Sequence, residues 1–67
     1  MFTFSNGLLF IYSLNKIIDV SDKCICVSSK KVILDIRGVG LVISSYEDRE
    51  IAIKGRIDSI SMRYVNG

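Results

Sequence analysis

The sequence predicts an all-β fold, a small antiparallel meander of about six to eight short strands rolled into a barrel or folded as a sandwich. Three observations predict it. β-Branched residues alternate with polar ones, turn residues recur along the chain, and no stretch carries the apolar spacing of a helix. A short β-solenoid-like stack is the alternative. The predicted strands are residues 2–5, 8–13, 17–20, 23–28, 32–37, 41–45, 50–55 and 57–64.

The first two strands are predicted to form a hairpin. Ser5–Gly7 supplies the turn, because an Asn-Gly pair tolerates positive φ at both central positions. Phe2 and Phe4 share one face of the first strand, and Phe10 and Tyr12 share one face of the second. We expect these aromatic side chains to pack across the strands in the core.

Polar turns separate the next two strands. Ser13–Lys16 is a weak turn, Ser21–Lys23 favours a bond from a side chain to the local backbone, and Ser28–Lys31 is a polar tip. Between the turns at Ser21–Lys23 and Ser28–Lys31, Cys24 and Cys26 lie two residues apart, so on a strand they point to the same face. We expect them to be small apolar residues of that face, because two residues of one strand are poorly placed for a disulfide.

The fifth predicted strand has the clearest alternation in the chain. Val32, Leu34 and Ile36 share one face, and Asp35 and Arg37 point to the opposite face. This period of two predicts a strand with one buried and one polar side.

Glycines with basic neighbours then interrupt the strand pattern at Gly38–Gly40 and at Gly55. A phosphate-binding loop needs glycines that open a helix, whereas here more strand follows each glycine. We therefore predict that they form turns, corners or bulges of the sheet, and that Arg37, Lys54 and Arg56 are solvated. Residues 44–49 are predicted to form the longest polar loop.

The last strand changes its alternation. Its apolar residues are odd-numbered at first and even-numbered later, in the order Ile51, Ile53, Ile57, Ile60, Met62 and Tyr64. A straight strand would place these two sets on opposite faces. A one-residue bulge near Asp58 and Ser59 would reconcile them, and the alternative is a strand covered on both faces, as at a subunit contact.

Length and composition predict one domain, residues 1–67, that associates with another molecule. The chain has 67 residues, of which 49% are hydrophobic, and a mean hydropathy of +0.39. A chain this short buries little core, so we expect part of its apolar surface to be covered by a second subunit or a partner. The net charge is only +2 and the basic residues form no block, so a nucleic-acid footprint is not predicted. The longest apolar run, Gly7–Leu14, is shorter than a membrane span and follows no basic segment typical of a signal peptide.

No catalytic, cofactor-binding or metal site is predicted. Histidine is absent, which removes the commonest general base. The cysteine pair lacks the further ligands that a zinc site needs. The candidate paired carboxylates lie in polar segments where solvated carboxylates are usual, and they are Asp19 with Asp22, and Glu47 with Asp48 and Glu50.

The ordered pattern as a whole resembles the YabP/YqfC family of sporulation proteins, and especially its YqfC branch. Two segments carry the resemblance, LFIYSLNKIIDVSDKCICV and VILDIRGVGLVISSYEDREIAIKGRIDSI. It rests on the order and spacing of Leu9, Ile11, Ile17, Asp22, Ile25, Val27, Leu34, Ile36, Gly38, Leu41, Ile43, Ile51, Ile53, Gly55 and Ile57.

The resemblance implies a small non-enzymatic protein that helps to build the spore envelope, coat or cortex, on the mother-cell side. Its implied partners are further copies of itself, another sporulation protein that can be membrane-bound, or both, with no small-molecule substrate and no cofactor. Its implied location is the mother-cell cytoplasm, and within it the forespore surface or the spore coat. The alternative is a small β-barrel that binds nucleic acid, which the size and the charge of +2 allow.

Overall fold

A computed structural model describes residues 2–65 and shows a single antiparallel sheet of six strands in the order β1-β2-β6-β5-β4-β3. The all-β prediction is confirmed, and the sheet does not close into a complete barrel. The strands are β1 Phe2–Ser5, β2 Leu8–Ile11, β3 Leu14–Val20, β4 Cys24–Ser29, β5 Val32–Glu47 and β6 Glu50–Tyr64.

The last four predicted strands join in pairs to form two long strands in the structure. Residues 32–37 and 41–45 both belong to β5, and residues 50–55 and 57–64 both belong to β6. The predicted polar loop at 44–49 was wrong, because β5 continues to Glu47 and only Asp48 and Arg49 form the turn. Both turn residues have positive φ, 51° and 64°, the geometry that matches the twist of a tight hairpin. The loop was predicted because the residues of a solvent-exposed strand end are as polar as those of a loop.

Three glycines lie where the paired strands β5 and β6 bend together. Gly40 and Gly55 have φ of +65° and +129°, values that favour glycine. A Cβ atom on Gly38 would overlap the backbone carbonyl of Arg56, and one on Gly55 would lie 2.5 Å from the carbonyl oxygen of Gly40. The glycines are therefore corners of a continuous sheet, as predicted, and the two backbones approach each other closely because they lack side chains.

The alternation change in β6 is explained by a bulge. Arg37 is opposite Ser59, whereas the next residue, Gly38, is opposite Ile57. Asp58 is therefore the extra residue on β6, and the predicted bulge near Asp58 and Ser59 is confirmed. The bulge brings the odd-numbered and the even-numbered apolar residues of β6 to the same face of the sheet.

The bends divide the sheet into two half-sheets that enclose the core. The first half-sheet comprises β1, β2, residues 50–54 of β6 and residues 42–47 of β5, and the second comprises the rest of β5 and β6 with β4 and β3. Residues of both half-sheets form one cluster of buried side chains. Its fully buried members include Leu9, Ile11 and Ile53 from the first half-sheet and Ile25, Val27, Leu34 and Ile36 from the second.

Backbone bonds link β3 to the β5–β6 turn, and β5 to the turn that follows β3. The Leu14 amide donates to the carbonyl of Arg49, and the Leu41 amide donates to the carbonyl of Asp22, both at 2.8 Å. The Arg49 side chain also donates to the Leu14 carbonyl, at 3.2 Å. The hydroxyl of the buried Ser29 donates to the Tyr12 carbonyl at 2.7 Å. The two bonds between Leu14 and Arg49 hold β3 of the second half-sheet against the turn of the first half-sheet.

Two of the predicted turns are confirmed, whereas the one predicted at 13–16 is wrong because β3 begins at Leu14, and the one predicted at 28–31 is confined to residues 30 and 31. Asn6 and Gly7 both have positive φ, 53° and 76°, so the predicted Asn-Gly hairpin turn between β1 and β2 is confirmed. The Ser21 hydroxyl oxygen accepts bonds from the amides of Lys23 and Cys24, at 3.4 and 3.0 Å, which is the local bond predicted for that turn. Lys30 supplies the positive φ of the turn between β4 and β5.

Candidate functional site

The candidate carboxylates lie in exposed positions at two separate turns of the sheet. Asp19 and Asp22 are at the end of β3 and just beyond it, and both are exposed. The carboxylates of Glu47, Asp48 and Glu50 surround the β5–β6 turn and are exposed too. Within residues 2–65, no three side chains of the metal-binding types come together as a cation site.

The basic residues beside the glycines are solvated, as predicted. Arg37, Lys54 and Arg56 are all exposed. Arg56 forms an ion pair with Asp58, with Nε and Oδ1 3.1 Å apart, across the bulge of its own strand. Since strand continues on both sides of each glycine, the glycine segments offer no free helix terminus to an anion.

The two cysteines lie on the outward face of β4. Cys24 is opposite Arg37 and Cys26 is opposite Asp35, so they share the polar face of β5 rather than the core face. Both are free thiols, and Cys26 is the more buried of the two. Burial raises the pKa of the Cys26 thiol to about 11, and a hydrogen bond to the Asp35 carboxylate and its negative charge act in the same direction. Cys26 is therefore a protonated thiol at neutral pH.

The raised pKa of Cys26 predicts a loss of stability at alkaline pH. Below pH 9 the thiol is protonated in the folded and the unfolded chain alike, whereas from pH 9 to about 11 the unfolded chain loses the proton first. We expect the wild type to lose about 2 kcal/mol more than Cys26→Ala between pH 8 and pH 11. Urea unfolding at both pH values measures this difference. Cys24→Ala is the control, and equal losses in the wild type and Cys26→Ala would contradict the prediction.

The prediction that the aromatic residues of β1 pack in the core is wrong. Phe2 is opposite Ile11 and Phe4 is opposite Leu9, so both phenylalanines lie on the core-facing side of the sheet. Nevertheless they are 38% and 57% exposed. The reason is position, because β1 is the outermost strand of the first half-sheet and extends beyond the core.

Two residues near the end of β6 show the same behaviour. Met62 is opposite the buried Leu34 and Tyr64 is opposite Val32, which places both side chains on the core-facing side. They are nevertheless 42% and 76% exposed. Within the described chain, residues 57–64 of β6 pair with β5 alone, so their other edge is free.

We call the exposed core-facing side chains of Phe2, Phe4, Met62 and Tyr64 the open side. β2 and β1 follow β6 in the sheet, on the flank away from β5, and the free edge of β6 is on that same flank. The sequence signal for this surface was the run of even-numbered apolar residues in the last strand.

Comparison with known proteins adds no relative. No protein-family model, curated protein or solved structure matches the chain. The resemblance to the YabP/YqfC family therefore stays a prediction. Within residues 2–65, no helix has the length and apolar character to cross a membrane.

Proposed function

We propose that this protein is a non-enzymatic assembly factor that works by association through its sheet edges and apolar faces. The open side is the observation that carries the proposal. Four large apolar side chains point in the core direction but are left uncovered, on a chain that is 49% hydrophobic. Exposed apolar patches of this kind mark interaction surfaces in folded proteins.

The biological setting of the proposal comes from the resemblance to the YabP/YqfC family. On that basis the protein acts in a sporulating bacterium, on the mother-cell side, in building the spore envelope. Its partners are further copies of itself, another sporulation protein, or both. Its location is the mother-cell cytoplasm, at the forespore surface or in the coat. The chemistry required of it is binding, which the exposed apolar surface and free strand edge support.

A localisation experiment in sporulating cells tests this role. The full chain, fused to a fluorescent protein and expressed from its own promoter, is expected to appear during sporulation and to surround the forespore. Deletion of the coding sequence is expected to yield spores with a defective coat or cortex, seen by electron microscopy and by lysozyme sensitivity. The fluorescent protein alone is the control. A signal present equally in growing cells, together with normal spores from the deletion strain, would contradict the proposed role.

A further inference from the structure

Within residues 2–65, residues 59–64 of β6 form a free strand edge that no register shift interrupts. Proteins guard exposed edges with charged residues, bulges or very short strands. β1 has four residues, β3 has two register shifts, and residues 42–47 of β5, which β4 does not cover, have a register shift between Ile43 and Ser45. The free edge of β6 differs, because residues 59–64 pair with residues 32–37 in unbroken register.

The charges along that edge are already compensated within the chain. Arg56 pairs with Asp58 at the start of the edge, and the Arg63 guanidinium lies 3.7 Å from the Asp35 carboxylate on the outward face. Between them, residues 59–62 are uncharged. A second strand can therefore approach this edge without meeting an uncompensated charge.

We propose that the open side and the free edge of β6 bind a second copy of this chain, with the two β6 strands paired antiparallel about a two-fold axis. This inference deepens the proposed function by naming the surface and the partner. A strand that pairs antiparallel with itself is self-complementary, which is what a two-fold interface requires. In a register centred on Met62, Ile60 is opposite Tyr64 of the second copy, and the core-facing apolar residues form one continuous row.

The area of the open side agrees with what a stable dimer needs. From their exposed fractions, its four side chains leave on the order of 400 Å² uncovered. A standard interface buries about 800 Å² per partner, of which somewhat more than half is apolar. The open side thus supplies most of the apolar area, and the polar rim comes from Ser59, Ser61 and the neighbouring strands.

The position of β1 fits the same arrangement. The first half-sheet extends past β6 by two strands, β2 and β1, on the flank where the second copy adds its β6. Phe2 and Phe4 face the core direction there, so they lie over the place that the added strand occupies. These phenylalanines are exposed in the single chain, and in the proposed dimer the second copy covers them.

Sedimentation equilibrium of the full chain tests the proposal. The wild type is expected to have twice the 7.5 kDa mass of one chain. Met62→Arg places a charge at the centre of the interface and is expected to weaken the dimer by about thirtyfold or more in Kd. Val42→Arg is the matched control, because Val42 is also an exposed apolar strand residue, lies on β5, and is expected to leave the dimer intact. Circular dichroism checks that both variants fold.

A cross-linking experiment identifies the surface independently of any loss of folding. In a Cys24→Ala, Cys26→Ala background, Met62→Cys is expected to give a disulfide-linked dimer on mild oxidation, because a register centred on residue 62 places the two cysteines directly opposite each other. Val42→Cys is expected to remain a monomer under denaturing, non-reducing conditions. The proposal would be overturned if the Val42→Cys variant formed a disulfide-linked dimer and the β6 variant did not.

The outcomes separate this inference from the proposed function. A wild-type monomer at the highest soluble concentration overturns the β6 dimer, whereas forespore localisation and a spore defect would still support the assembly role with another protein as partner. A dimer that Met62→Arg leaves intact also overturns the β6 interface, and then association occurs through a different surface. A dimer lost in Met62→Arg and retained in Val42→Arg supports it.

Discussion

Gly38→Ala is expected to unfold this protein. The added Cβ atom would overlap the backbone carbonyl of Arg56, and backbone on the paired strand cannot move aside without breaking the ladder between β5 and β6. A domain of this size has a free energy of unfolding of roughly 3–10 kcal/mol. We expect the substitution to cost about 4 kcal/mol or more, which places it among the most damaging single changes.

Gly40→Ala is the matched control for that experiment. Gly40 lies two residues away, has φ of +65°, and has nothing within 4 Å of the place where a Cβ would lie. Its replacement therefore strains the backbone without a steric overlap and is expected to cost about 1–2 kcal/mol. Urea unfolding followed by circular dichroism, at one fixed protein concentration, compares the two variants. A Gly38→Ala protein as stable as Gly40→Ala would show that the close approach of the two strands is not essential.

Ile36→Ala is expected to have the second largest effect. Ile36 is fully buried, lies at the centre of the second half-sheet, and is opposite both Ile25 of β4 and Ile60 of β6. Truncation removes apolar contacts and leaves a cavity between the half-sheets, at a cost of about 2–5 kcal/mol. Since that range overlaps the whole stability of so small a domain, we expect much of the variant to be unfolded at room temperature.

A graded series distinguishes core packing from a general intolerance of β5 to substitution. Ile36→Val removes one methylene and is expected to cost about 0.5–1.5 kcal/mol. Val42→Ala, on the same strand but 57% exposed, is expected to change stability by about 0.5 kcal/mol or less. Thermal or urea unfolding measures all three. Equal losses for Ile36→Ala and Val42→Ala would contradict the assignment of Ile36 to the core.

Local features of the fold were predictable from sequence because local chemistry determines them. The alternation of Val32, Leu34 and Ile36 predicted the buried face of β5, since side chains of a strand alternate between faces. The Asn6-Gly7 turn followed from the two residue types that accept positive φ. The shift from odd to even apolar positions in β6 predicted the bulge now placed at Asp58. Each of these depends on residues close together in the chain.

The features that the sequence left open depend on residues distant in the chain. Alternation shows that Phe2 and Phe4 share a face, but their exposure depends on which strands lie beyond β2 in the sheet. Likewise, the residues at 44–49 are polar whether they form a loop or a strand, and pairing with β6 decides that Glu47 still belongs to β5. The cysteines illustrate the same limit, because only the pairing of β4 with β5 shows that Cys26 lies opposite Asp35.

By itself, the sequence determined the fold class, the turns at Asn6-Gly7 and Ser21, the buried face of β5 and the bends at glycine, because period, φ preference and side-chain size are properties of short segments. The tertiary structure alone decided that β5 and β6 are continuous through those bends and that, within residues 2–65, the edge of residues 57–64 of β6 away from β5 is free. It also decided that Met62 and Tyr64, although core-facing, extend past the core. The order of strands in a sheet is set by contacts between distant segments, and the candidate association surface exists only where that order leaves a face uncovered.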